Sequence, residues 1–174
     1  MVTERAHEVK SATVLRFNDL WKRNVEANFP KIKVSPGVQN LKNRFKKLPA
    51  IVVGAGPSLD KNIKYLERIQ EKALIIAADA ALKSLLSHGI RPPLVACLDP
   101  QEDIAKFFTG VSHEGMTLVA PTIVHPRILD MWEGKVVFFN KYAPDIPLLT
   151  EIQNDLPKVG VLTPGGTVLS IAYD

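Results

Sequence analysis

The chain has one cysteine, Cys97, in 174 residues. A single thiol excludes an internal disulfide framework and any multi-cysteine metal site. It sits in the apolar run Leu94-Val95-Ala96-Cys97-Leu98, the setting of a small buried hydrophobe rather than a nucleophile. No apolar run approaches the roughly 20 residues of a membrane-spanning helix. The first residues, MVTERAHEVK, lack the apolar stretch of a signal peptide, so a cytoplasmic location is expected. The basic run Lys42-Asn43-Arg44-Phe45-Lys46-Lys47 has one interleaved aromatic, too few for stacking on single strands, and no nucleic acid is expected as a partner.

What remains is ordinary globular material, with 46% apolar and 23% charged residues, enough for one domain and a small N-terminal appendage. The charge is uneven. Residues 1–48 hold 11 Lys and Arg against four Asp and Glu, whereas residues 49–174 hold 11 against 14. A basic front end suits an acidic partner, a lipid surface or nucleic acid, and equally a solvated helix with a basic connector.

Residues 3–28 are predicted as a helix, with Val14, Phe17, Leu20, Trp21, Val25 and Phe29 on one apolar stripe. Pro30, Pro36 and Gly37 are expected to end it, leaving 1–48 as a basic helical segment and connector. From residue 49 to 174 short apolar runs alternate with helical segments. Strands are predicted at 50–53, 73–77, 94–98, 117–120 and 135–139, and helices at 59–70, 80–88, 101–108, 128–132 and about 145–155. Gly89 is expected to cap the second of these helices. The alternation predicts an α/β, Rossmann-like fold: a mostly parallel sheet with flanking helices and right-handed crossovers, plus an N-terminal helical appendage. Thr163-Pro164-Gly165-Gly166-Thr167 reads as a loop opening a final helix. That helix stops after about two turns without a cap, the pattern of a truncated domain.

Ligands of parallel α/β sheets sit at the carboxyl ends of the strands. After the first strand comes Gly54-Ala55-Gly56-Pro57-Ser58-Leu59-Asp60. Gly54 and Gly56 let the backbone approach a ligand and can take positive φ, and the following helix presents N–H groups to a phosphate. Pro57 stiffens the loop, and Ser58 can cap the helix or donate to a phosphate oxygen. Leu59 stands where a dinucleotide fingerprint needs its third glycine, and no Walker lysine follows. A tight turn without a ligand is the plain alternative. Asp79 follows the second strand and can accept from a ribose or base. Asp99 follows the third and can hold Mg²⁺ beside a pyrophosphate or orient a hydroxyl. Both are also good helix caps. Gln101 and Asp103 lie nearby. His125, between Val124 and Pro126, is the best-placed general acid or base of the four histidines; His88 ends a helix, and His7 and His113 are expected to be exposed. Gly165, Gly166 and Thr167 are candidates for a second anion site.

Together Pro49 to Asp60, then Ile76-Ala77-Ala78-Asp79-Ala80-Ala81-Leu82, Gly89-Ile90-Arg91-Pro92-Pro93, Leu98-Asp99-Pro100-Gln101 and Gly165-Gly166-Thr167-Val168 resemble one bacterial and archaeal family. It contains the motility accessory factors and the archaeal 6-hydroxymethylpterin diphosphokinase (MptE)-like proteins. The resemblance covers about residues 40–174. It implies a nucleotide phosphate on Gly54, Gly56, Pro57 and Ser58, with Asp79 and Asp99 as the strand-end acidic positions. For motility accessory factors it implies transfer of a nonulosonic acid sugar from a CMP-sugar to flagellin hydroxyls, with Asp99 or His125 as general base. For the archaeal relatives it implies Mg²⁺-dependent pyrophosphate transfer from ATP to a hydroxymethyl-dihydropterin; Phe107, Phe108 and Trp132 could clamp that ring, and packing on a helix face explains them equally well. A nucleotide-binding module without catalysis is the third reading.

Overall fold

The computed structural model describes the backbone of residues 2–163 and the side chains of residues 12–163. Six strands form one parallel sheet: β1 (Ala50–Val53), β2 (Leu74–Ala78), β3 (Leu94–Ala96), β4 (Thr117–Pro121), β5 (Lys135–Lys141) and β6 (Val161–Leu162). Their spatial order follows the chain, β1 through β6, with every described pairing parallel. The five predicted strands are present. β6 was not predicted, because two residues are too short to show a periodicity.

Each connection advances the sheet by one strand in the same direction. Right-handed crossovers therefore place the intervening helices on one face. Side-chain alternation agrees. Ile75, Ala77, Val95, Cys97, Leu118, Ala120 and Phe138 pack against the helices, while Leu74, Ile76, Leu94, Ala96, Val119, Val137 and Phe139 face the other way. Val38, Leu41 and Phe45 of the connector cover that second face. Burial on both sides explains why these strands read as continuous apolar runs.

The helices are α2 (Pro57–Ile69), α3 (Leu82–Ser87), α4 (Pro126–Met131) and α5 (Pro147–Asp155), with α1 (Val2–Val34) ahead of the sheet. α2 buries Leu59, Ile63 and Leu66. Gly89 closes α3 at φ +71 as expected, and the Ile90 N–H returns to Leu85 O at 3.0 Å. Residues Asp79–Ala81 and Glu102–Phe107 wind as 3₁₀ turns instead of full helix.

α1 departs most from expectation. It runs through Pro30 to Val34, although proline removes a helical hydrogen bond and crowds the preceding turn. Tertiary contacts beyond the proline hold it: Ile32 is buried, and Lys31 pairs with Asp130 at 2.5 Å. The buried stripe is Trp21, Asn24, Asn28 and Ile32, while Phe29, predicted on the apolar side, is 40% exposed. Asn24 Nδ2 donates to Pro100 O (3.0 Å) and Ile123 O (2.9 Å), and Asn28 Nδ2 to Thr122 O (3.1 Å) and Val124 O (2.7 Å). These carbonyls lie in the loops after β3 and β4, so α1 docks on the rim formed by the strands' carboxyl ends. Two amides pay the desolvation cost that an apolar stripe would have avoided, and in return satisfy loop carbonyls that have no sheet partner.

Candidate functional site

The rim under α1 gathers charge. Asp79 leaves β2 and accepts the Ala80 N–H at 2.7 Å. Burial pushes its carboxyl above the ordinary value of 3.8; the Ala80 N–H and the Cys97 thiol oppose this, and the neighbouring Asp99 adds to it. Asp99 leaves β3, and its Oδ1 accepts the Gln101 N–H at 2.9 Å. The Gln101 side-chain amide reaches both Asp99 oxygens at 3.2 and 3.3 Å. Both aspartates thus spend part of their capacity on local turns, and neither caps the helical turn that follows it. Cys97 is fully buried, and desolvation drives its thiol well above the usual range. It is a structural thiol, as its apolar run suggested.

Lys141 ends β5 on the same rim. Burial lowers its pKa, and Asp99 and Cys97 act against that fall. Sequence reading missed this residue. Its signal was the one that marked Asp79 and Asp99: an ionisable side chain at the end of a buried strand, here Val136-Val137-Phe138-Phe139-Asn140-Lys141.

Among the described residues two clefts touch the glycine loop and the strand-end charges. One, of about 280 Å³, is lined by Ala55, Gly56, Pro57, Leu59, Asp60 and Ser84. The other, of about 200 Å³, is lined by Thr13, Phe17, Trp21, Leu98, Asp99, Pro100 and Lys141. Each is below the roughly 300 Å³ at which pockets begin to hold a whole drug-sized ligand. Each therefore suits one part of an extended substrate.

The glycine loop is built differently from the expectation. Gly54 and Gly56 are absent from the positive-φ glycines, and Gly56 N-caps α2 at φ −95. Among the described residues a Cβ on Gly54 would meet nothing within 4 Å, and one on Gly56 only Ser58 Oγ at 3.8 Å. None of these residues therefore bars a side chain at either position. Pro57 occupies the first turn of α2, where a missing N–H costs nothing. Ser58 lies inside the helix and does not cap it. Asp60 adds a carboxylate to the first turn.

The other candidates separate from this rim. His125, like Asp79, lines neither cleft, and its Nδ1 is engaged, accepting the Arg127 N–H at 3.3 Å to cap α4. Asp103 is exposed and pairs with Lys106 at 3.5 Å. His113, expected at the surface, is 2% exposed. Turns at Gly110 (φ +78) and Gly115 (φ +77) fold its loop inward, where the ring stacks on Trp132 at 4.4 Å. Phe108 and Trp132 are buried against each other and so form core, not a ring clamp. Gly165, Gly166 and Thr167 lie outside the described residues. Among the described residues no three His, Cys, Asp or Glu side chains form a group that could hold a metal ion. Mg²⁺ would fit only as an ion carried in with substrate phosphates and touched by one or two carboxylates, which is its usual habit. No helix among the described residues is long and apolar enough to cross a membrane.

The chain is 31% identical over 88 residues to an uncharacterized protein of Treponema pallidum (strain Nichols), covering 50% of this chain and 40% of that protein. A second uncharacterized protein of the same organism is 27% identical over 120 residues, covering 68% of this chain and 21% of that one. This chain thus matches well under half the length of either relative. Among solved structures, the MAf glycosyltransferase from Magnetospirillum magneticum AMB-1 is similar at a TM-score of 0.47 and 28% identity, over 57% of this chain and 17% of that one. The model of the 6-hydroxymethylpterin diphosphokinase MptE-like family matches residues 23–174, which takes in the end of α1, the glycine loop, Asp79, Asp99 and Lys141; the chain belongs to that family.

Proposed function

We propose that this chain is the nucleotide-binding part of a transferase, with a donor phosphate seated on residues 54–58 and the reacting groups lying along the rim toward Asp79 and Asp99. The observation that carries this reading is the glycine loop. Two glycines that neither φ nor packing against the described residues requires stand at the N-terminus of a 13-residue helix, where free N–H groups and the helix dipole favour an anion. From β1 to β3 is two strand spacings, about 10 Å, a span that a nucleoside phosphate donor can bridge.

Sugar transfer of the motility accessory factor kind is the first reading, supported by the motif series that the chain shares with those proteins. The donor is a CMP-sugar and the acceptor a flagellin Ser or Thr hydroxyl. The hydroxyl oxygen attacks the anomeric carbon, the carbon–oxygen bond to the CMP phosphate breaks, and CMP leaves as the hydroxyl proton passes to a base. Asp79, its carboxyl raised by burial, is better tuned for that proton than Asp99, whose oxygens already hold Gln101. His125 is less well placed, being engaged as a helix cap. Pyrophosphate transfer from ATP is the second reading, supported by the family's description. There Asp79 and Asp99 would share Mg²⁺ with the ATP phosphates.

Calorimetric titration with CMP, CDP and ATP, each with and without Mg²⁺, tests the proposal. Metal-independent CMP binding that disappears in Gly56→Val, with thermal stability kept, is the expected result. Mg²⁺-dependent ATP binding lost in Asp99→Asn moves the assignment to pyrophosphate transfer. A Gly56→Val chain that binds nucleotide as well as the parent, or a parent that binds none, overturns it.

A further inference from the structure

The cleft under α1 contains a side chain that nothing so far explains. Lys141 is partly buried, and among the described residues its amine has no hydrogen-bond or ion-pair partner; Asp99 and Cys97 act on it only electrostatically. Holding an ammonium there without a partner costs desolvation free energy that a strand end does not need to incur. Above it stand Phe17 and Trp21, ring centroids 6.1 Å apart at 17°. Trp21 is 3% exposed, and its Nε1 is a buried donor with no partner among the described residues. A cation and an aromatic wall thus meet at one cleft of about 200 Å³.

We infer that Lys141 and the Phe17–Trp21 wall form an oxyanion subsite, which takes a phosphate or carboxylate on Lys141 and covers the ring that carries it. This rests on the transferase reading only for the identity of the substrate. The cleft runs from Lys141 at the end of β5 to Asp99 after β3, still two strand spacings or about 10 Å from β1, and it shares no lining residue with the cleft at the glycine loop. The group held here is therefore not the donor phosphate of the glycine loop. It is an anionic substituent on the transferred group or on the acceptor. α1 thereby becomes part of the binding site, because its amides dock it on the rim and its rings roof the cleft.

Fluorescence titration of the 174-residue chain with phenyl phosphate and benzoate, against benzyl alcohol as the neutral ring, tests this. Trp21 in the cleft wall supplies the signal. At least one anion is expected to bind about tenfold or more tighter than benzyl alcohol, the scale of one charge-assisted contact. Lys141→Met should abolish that preference, and Lys141→Arg should keep it within about threefold, since arginine retains the charge. Thermal unfolding checks that both variants fold; Lys141→Met relieves a buried cation and should do so. Equal binding of the neutral ring, an anion preference kept in Lys141→Met, or no binding at all overturns the inference. An anion preference lost in Gly56→Val but kept in Lys141→Met would place the anion on the glycine loop, so this inference fails while the transferase reading stands. Anion binding that needs Lys141 in a chain indifferent to every nucleotide has the reverse meaning.

Discussion

The helix-covered face of the sheet and the rim at its carboxyl end follow opposite rules. In the α4–β5 loop that closes the helix-side core at the strands' amino end, neighbours are tightly fitted: a Cβ on Gly134 would collide with Met116 O and lie 2.9 Å from Trp132 Nε1. That indole donates to Lys135 O at 2.9 Å. On the rim, two glycines meet no neighbour among the described residues that requires glycine, an aspartate is held above its ordinary pKa, and a lysine is held below its own without a close partner among those residues. A region that bears unneeded glycine entropy and partly buried charge is shaped by something other than stability, and binding is the simplest such demand.

Thermal unfolding of four variants can break or sharpen that contrast. Gly134→Ala is expected to be the most damaging, costing about 3 kcal/mol through backbone displacement, or roughly 6–12 °C in a domain of this size. Asn28→Ala comes next. It orphans the carbonyls of Thr122 and Val124 and should cost about 2 kcal/mol, or some 4–8 °C. Asp79→Asn should raise Tm at pH 7. Because burial raises the folded-state pKa, the acid contributes its stability below the ordinary value of 3.8 and loses it as pH rises through the folded pKa. The amide escapes that loss, so its advantage, of the order of 2–4 °C for each kcal/mol relieved, should vanish below the ordinary carboxylate range. Gly56→Ala should shift Tm least, within about 2 °C, while weakening nucleotide binding about tenfold or more. A Gly56→Ala loss as large as that of Gly134→Ala would make the loop structural and erase the contrast.

Much of the fold was legible locally. Apolar runs of four or five residues marked five strands, and Gly89 marked a helix end. The site was only half legible. Asp79, Asp99 and the glycine loop could be nominated because each follows a recognisable strand. Lys141 was passed over because its strand was expected to stop at residue 139, although pairing with β6 extends it to Lys141. Asn24 and Asn28 were missed for a different reason: a search for apolar periodicity cannot see amides buried to satisfy carbonyls about 75–100 residues away.

The sequence by itself determined the alternation of strands and helices, the place of the glycine loop between β1 and α2, and the likeness to a family. Those features depend on side chains within a few residues of each other, where periodicity, caps and turn chemistry act. The tertiary structure alone decided the strand order, the docking of α1 on the rim, the burial of His113 and the meeting of Lys141 with Asp99 under Phe17 and Trp21. These are set by which distant surfaces bury each other and by where unpaired polar groups find partners, and no window along the chain contains both sides of such a contact.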